Sequence, residues 1–163
     1  MARQATKALG NRYYEARMDA AKRNERLLSR AGAAEAMNVS EDTIKDAELG
    51  LYKCLPVDTV VRMADPYCAP ELLNYYCLHE CPIGRDMGVS DSVLPIERVT
   101  VKMLRGLRTD DISRIKDMLV DIAEDGAVSD DEIDNLKEVE SYLANLSKTI
   151  SELRILAKRA CGG

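Results

Sequence analysis

The chain has 163 residues, which allows one domain with a hydrophobic core or two small ones. It has no apolar run of about 18 residues and no apolar segment near its N-terminus, so we expect neither a membrane-spanning nor a secreted protein. The formal net charge is −5, but residues 1–31 carry eight basic and three acidic side chains, whereas residues 91–163 carry 11 basic and 15 acidic ones, so a polyanion would meet the N-terminal part first.

The composition favours an all-α fold. There is no Trp and no Phe, and Ala, Leu, Glu and Lys recur without the alternating β-branched runs that strands require. Five cysteines, an odd number, suit a reducing cytoplasm better than a disulfide framework, so we expect a cytoplasmic protein.

The N-terminal half reads as a series of short helices. Residues 1–12 have no apolar periodicity and are predicted to be flexible. A first helix is predicted from Tyr13 to about Asn24, followed by a turn at 25–28. In residues 29–50, SRAGAAEAMNVSEDTIKDAELG, Ser29 and Ser40 stand where they would cap two helices, Arg30–Met37 and Glu41–Glu48, with Asn38 and Val39 as the turn. This layout is that of a helix-turn-helix, whose second helix is normally offered to the DNA major groove.

Prolines delimit the next two helices. Pro56 stands at the first turn of a helix whose apolar positions are Val57, Val60, Val61 and Ala64, and which Pro66 ends. A fifth short helix is predicted over 71–77. The sequence therefore predicts a compact five-helix domain over residues 13–84.

The run AAEAMNVSEDTIKDAELG and the following PVDTVVRMAD resemble the lambda-repressor-like, or XRE, helix-turn-helix family. The matching residues, at the family's spacing, are Ala34, Val39, Ser40, Thr43, Ile44, Glu48 and Gly50. With its ECPIG segment and C-terminal helices, the whole chain is similar to XRE-type proteins of bacterial and phage-derived elements.

The resemblance implies a DNA interface centred on the second helix of the motif. It implies DNA contacts by Arg30, Ser40, Glu41, Asp42, Thr43, Lys45 and Asp46. The basic side chains that could bind phosphates, or otherwise form a solvated basic face, are Arg17, Lys22, Arg23, Arg26, Arg30, Lys45 and Lys53. The adjacent carboxylates of Glu41 and Asp42 depart from the family, where amides, hydroxyls and basic groups are common. Either one reads a C·G pair through cytosine N4, or both simply stabilise the positive end of their helix.

The C-terminal part reads as a helical hairpin over 95–160, reached through a linker at 85–94. Between Pro95 and Asp125 the apolar stripe slips near Gly106, which predicts one bent helix or two helices in series. Ser129 and Glu132 form a capping box that begins the last helix. Its heptad positions predict a coiled-coil homodimer interface formed by Leu136, Val139, Leu143, Leu146, Ile150 and Leu153.

Two weak metal motifs have simpler explanations. Cys54, Cys68, Cys77 and Cys81 supply four potential zinc or iron–sulfur ligands, but there is no Cys-x-x-Cys pair, and cysteine is also an ordinary core residue. Residues 121–132 match six positions of an EF-hand loop, including Asp121, Asp125 and Glu132, but Ala123 replaces a ligand. Helix capping explains the same residues, so we expect no metal and no cofactor.

We therefore expect a DNA-binding transcriptional regulator that acts as a homodimer and represses by occupying a roughly palindromic operator. The alternative is a helix-turn-helix module, or a phage or mobile-element accessory protein, that binds another protein instead of DNA. No nucleophile beside a histidine, phosphate loop or metalloprotease pair occurs in the sequence, so we do not expect an enzyme.

Overall fold

The computed structural model describes residues 7–84, 87–123, 128–130 and 132–161. Within these ranges the chain forms eight α-helices and no strand, which confirms the predicted all-α class. The helices are α1 (Arg12–Ala21), α2 (Arg30–Met37), α3 (Glu41–Glu48), α4 (Val57–Ala64), α5 (Glu71–His79), α6 (Ile96–Gly106), α7 (Thr109–Ala123) and α8 (Ile133–Cys161), with a 3₁₀ helix, Glu25–Leu28, between α1 and α2. Among them, none is both long enough and apolar enough to cross a membrane.

The chain divides into two compact units. The first comprises residues 1–86 and 157–163, and the second comprises residues 87–156. Residues 1–6 of the expected flexible N-terminus and residues 85–86 of the expected linker lie outside the described part of the chain.

The first unit has a core built from α1 to α5. Fifteen buried side chains form it, and all of them are Ala, Leu, Ile, Val, Met or Tyr. The largest of those that are almost fully buried are Tyr67, Leu27, Ile44, Leu55, Met63 and Leu72. Alanines at α1, α2 and α3 allow these helices to pack closely around the larger side chains.

Local capping explains the connection between α2 and α3. The Ser29 hydroxyl accepts a hydrogen bond from the amide of Gly32 (3.0 Å), and the Ser40 hydroxyl accepts one from the amide of Thr43 (3.1 Å). Asn38 has a φ of 53°, in the left-handed region that commonly ends a helix. The predicted bounds of both helices are confirmed.

Part of the segment expected to be flexible is packed against the first unit. Residues 7–10 form a turn in which Ala8 is fully buried. The Asn11 side-chain oxygen caps α1, and its amide nitrogen donates to the Ala47 carbonyl (3.0 Å). These polar contacts cannot be recognised from hydrophobic periodicity, which is why the segment is predicted to be loose.

The second unit is a helical hairpin. Of the two alternatives for residues 95–125, the structure has two helices in series, interrupted at residues 107–108. Lys102 of α6 forms an ion pair with Glu152 of α8 (2.9 Å), while Arg114 of α7 forms one with Glu138. Since the sequence order reverses along α8, α6 and α7 run antiparallel to it.

The last helix begins at Ile133, whereas the sequence places its start at Ser129. The capping contact is present, because the Glu132 carboxylate accepts a hydrogen bond from the Ser129 amide (2.8 Å). Asp130 and Glu132 each lie in a turn ahead of the first helical residue.

Candidate nucleic-acid interface

The third helix has an inner and an outer face. Ile44 and Ala47 are 0% and 3% exposed and belong to the core. Glu41 and Asp42 are exposed, and Thr43 is partly exposed. The first turn of α3 can therefore meet a ligand while the opposite side holds the helix in the first unit.

The outer face of α3 contains an internal ion pair. The Lys45 ammonium lies 2.7 Å from an Asp42 carboxylate oxygen and 3.9 Å from one of Asp46. The hydrogen bond lowers the pKa of Asp42 and raises that of Lys45. The only lysine of α3 is thus matched by neighbouring carboxylates, and the exposed face keeps a negative balance.

Glu48, at the end of α3, joins two arginines. Its carboxylate lies 2.5 Å from Nε of Arg17 and 2.8 Å from Nε of Arg30. Arg17 and Glu48 are 3% and 1% exposed, and Arg17 also donates to the carbonyls of Leu27 and Leu28 (2.8 and 2.9 Å). The network connects α1, the 3₁₀ helix, α2 and α3.

This network places Arg30 differently from a simple phosphate contact. The family position leaves Arg30 either to reach a phosphate or to buttress the base-reading residue, and its guanidinium Nε is directed to Glu48 while its side chain is mostly buried. It therefore acts first as a support for α3. The sequence signal for Glu48 is its position one residue after Ala47 and four after Ile44, beside the only two apolar residues of α3.

Other basic side chains of the first unit also have partners. Lys22 pairs with Asp19 (3.0 Å), Arg23 donates to the Tyr67 carbonyl (3.2 Å), and Arg62 donates to the Asn38 carbonyl (3.3 Å). Within the described residues, Arg26 and Lys53 are exposed and their side chains form no ion pair or hydrogen bond. Among the basic residues predicted around the helix-turn-helix, where Arg30 and Lys45 are ion-paired, these two are the ones best placed to accept an external anion.

The structure does not assemble the four-cysteine site. No group of three or more His, Cys, Asp or Glu side chains that could hold a metal occurs in the described ranges. Cys54, Cys68, Cys77 and Cys81 are thiols, and the Cys54 sulfur contacts the Tyr76 hydroxyl (3.2 Å). Burial and the neighbouring Cys81 raise the pKa of the Cys77 thiol, which disfavours its thiolate.

The EF-hand motif is only partly within the described chain. Asp125 lies outside it, and Asp121 is exposed near the end of α7. The Glu132 carboxylate is bonded to the Ser129 amide and hydroxyl (2.8 and 2.7 Å), as expected for helix capping.

The predicted dimerisation residues differ in their exposure. Leu136, Leu143, Ile150 and Leu153 are between 37% and 48% exposed, and Leu146 is half-buried. Val139 is 2% exposed because it is packed inside the second unit. The Val139 side chain is therefore not accessible to a second copy and cannot contribute to a dimer interface.

No protein-family model, curated protein or solved structure matches this chain. The resemblance to the XRE family therefore depends on the residues of the helix-turn-helix themselves.

Proposed function

We propose that the chain is a sequence-specific DNA-binding regulator of the lambda-repressor-like type, which reads the major groove as a homodimer and represses by occupying its operator. The observation that carries this proposal is that α3 has an exposed first turn and a buried inner face. This helix follows α2 after a short turn, its first turn is exposed, and its inner face is fixed by buried Ile44 and by Glu48. A rigid helix with a free first turn suits insertion into a major groove.

In this proposal the first turn of α3 contacts the base edges. In this proposal Glu41 or Asp42 accepts a hydrogen bond from cytosine N4, and the Thr43 hydroxyl contacts a neighbouring base. A carboxylate in the groove is tolerated only where its acceptor is paired, so the operator should contain C·G at a fixed position in each half-site.

Affinity requires cations on the phosphates. Arg26 and Lys53, the exposed and unpaired side chains described above, are assigned this role, because cations already matched by carboxylates have less to gain from a phosphate. Lys45 contributes only if its pair with Asp42 opens.

The test is the binding of the full-length chain to a pool of random-sequence duplexes, followed by fluorescence anisotropy at several salt concentrations. The double variant Arg26→Ala/Lys53→Ala should bind more weakly and reduce the slope of log K against log salt by about 2. A matched variant, Arg105→Ala/Lys116→Ala, removes two exposed charges from the second unit and should change neither. Equal effects of the two variants, or no binding at low salt, would contradict the proposal.

A second candidate function is supported by the charge of α3. Its outer face holds Glu41, Asp42 and Asp46 against Lys45 alone, which favours a basic protein surface over a polyanion. If this is the role, the chain fails to retain any duplex, while Glu41→Lys/Asp42→Lys abolishes binding to the protein partner that co-purifies with it.

A further inference from the structure

The second unit presents an apolar stripe on α8. Leu136, Leu143 and Ile150, spaced seven residues apart, are 39%, 48% and 37% exposed. The helices α6 and α7 also carry exposed large apolar side chains: Ile96, Val101, Leu104, Ile112, Leu119 and Val120. A two-layer hairpin that exposes this much apolar surface needs a partner to cover it.

The two flanks of the stripe differ in charge, although both touch the second unit itself, since the Ser151 hydroxyl beside Ile150 accepts a hydrogen bond from the Ser90 amide (2.7 Å). On one flank, the Tyr142 hydroxyl donates to the Gly106 carbonyl and Thr149 is buried, so this side faces the chain's own hairpin. On the other flank stand Glu140 and Arg154, each one turn after a stripe residue. Both are exposed, and neither forms an ion pair within the described part of the chain.

The heptad positions of these two charges indicate whether two copies of α8 would pair in parallel or antiparallel. With the stripe residues at position a, Glu140 and Arg154 both occupy position e, whereas the g positions Asn135, Tyr142, Thr149 and Leu156 carry no charge. In a parallel pair, e side chains face g side chains of the partner and find no countercharge. In an antiparallel pair, e faces e, and the two opposite charges can meet.

We propose that a second copy of this chain covers the stripe with its α8 antiparallel. Leu143 then packs beside Ile150 of the second copy, and Glu140 pairs with Arg154 of the second copy. The sequence spacing allows both contacts to form in the same dimer, because Glu140 lies three residues before Leu143 and Arg154 lies four residues after Ile150. Two hairpins joined in this way form a four-helix bundle with a two-fold axis, so each contact occurs twice.

This inference rests on the homodimer of the proposed function and adds its orientation. The experiment measures the dimer dissociation constant of the full-length chain by sedimentation equilibrium. Glu140→Lys and Arg154→Glu should each raise that constant roughly tenfold, because each places like charges together at two symmetric positions. The double variant Glu140→Lys/Arg154→Glu restores attraction and should return the constant to that of the unmodified chain.

Restoration distinguishes the two orientations. In a parallel dimer the two positions are about 21 Å apart along the axis, so the double variant cannot rescue the single ones. The control is Lys148→Glu, which makes the same charge change as Arg154→Glu about 140° round α8 from Leu143 and should leave the constant unchanged.

The outcomes separate the two proposals. A dimer in which the double variant is no better than the single variants overturns the antiparallel orientation and leaves the DNA-binding proposal standing. A chain that is monomeric at every concentration overturns the inference and the homodimer together, and the anisotropy measurement then reports on DNA binding independently.

Discussion

At the scale of single residues, the arginines of the first unit differ in how deeply their side chains are buried. Arg17 is 3% exposed and bound to Glu48 and to two backbone carbonyls, while Arg26 is exposed and has no side-chain partner among the described residues. The sequence predicts all of these arginines as a basic surface, since charge can be counted along a chain but burial cannot. The Arg17–Glu48 pair joins positions 31 residues apart, and only the packing of α1 against α3 brings them together.

The buried pair leads to a stability prediction. Glu48→Ala leaves the Arg17 guanidinium buried without a countercharge, and should lower the free energy of unfolding by about 3–5 kcal/mol. The matched control is Asp42→Ala, which breaks an exposed pair and should change stability only slightly. Chemical denaturation monitored by circular dichroism measures both, and equal losses would show that the buried network contributes little.

At the scale of helices, the elements with local signals are predicted most accurately. The bounds of α2 and α3 follow from the Ser29 and Ser40 caps and from the left-handed Asn38, which depend only on neighbouring residues. The sequence alone does not decide the break between α6 and α7, because a slipped apolar stripe is compatible with a bend as well as with an interruption.

The inner face of α4 shows where periodicity is insufficient. The sequence places Val57 and Val61 among the apolar positions of this helix, but they are 59% and 51% exposed, whereas Met63 is fully buried. The spacing identifies a helix with an apolar side, and the neighbouring helices then decide which part of that side is covered.

Close packing of α2 against the 3₁₀ helix leads to a second stability prediction. A Cβ at Gly32 would lie 2.0 Å from the Arg26 carbonyl oxygen. Although alanine is a better helix former than glycine, Gly32→Ala should therefore lower the free energy of unfolding by about 1–3 kcal/mol.

The control for this prediction is Glu35→Ala, at an exposed position of the same helix, which should be nearly neutral. Thermal or chemical unfolding of the two variants decides the matter. A gain in stability for Gly32→Ala would mean that the 3₁₀ helix can move away from the added methyl group without a loss of folding free energy.

At the scale of the whole molecule, the proposal assigns DNA binding to the first unit and dimerisation to the second. The first carries the exposed turn of α3 and the exposed cations Arg26 and Lys53, and the second carries the apolar stripe of α8. The all-α class and the presence of a C-terminal hairpin could be predicted from the sequence. Which side chains remain accessible to a partner could not, as the burial of Val139 illustrates.

If the chain reads DNA as a symmetric dimer, it should select a defined site when the full-length chain binds duplexes from a random library that are then sequenced. We expect enrichment of a palindrome whose half-sites each contain a fixed C·G pair and lie about 10 base pairs, or a multiple of one helical turn, apart. Glu41→Ala/Asp42→Ala should relax the preference at that C·G position while retaining binding. Recovery of no enriched sequence, at salt concentrations low enough for phosphate contacts to hold, would contradict sequence-specific DNA binding.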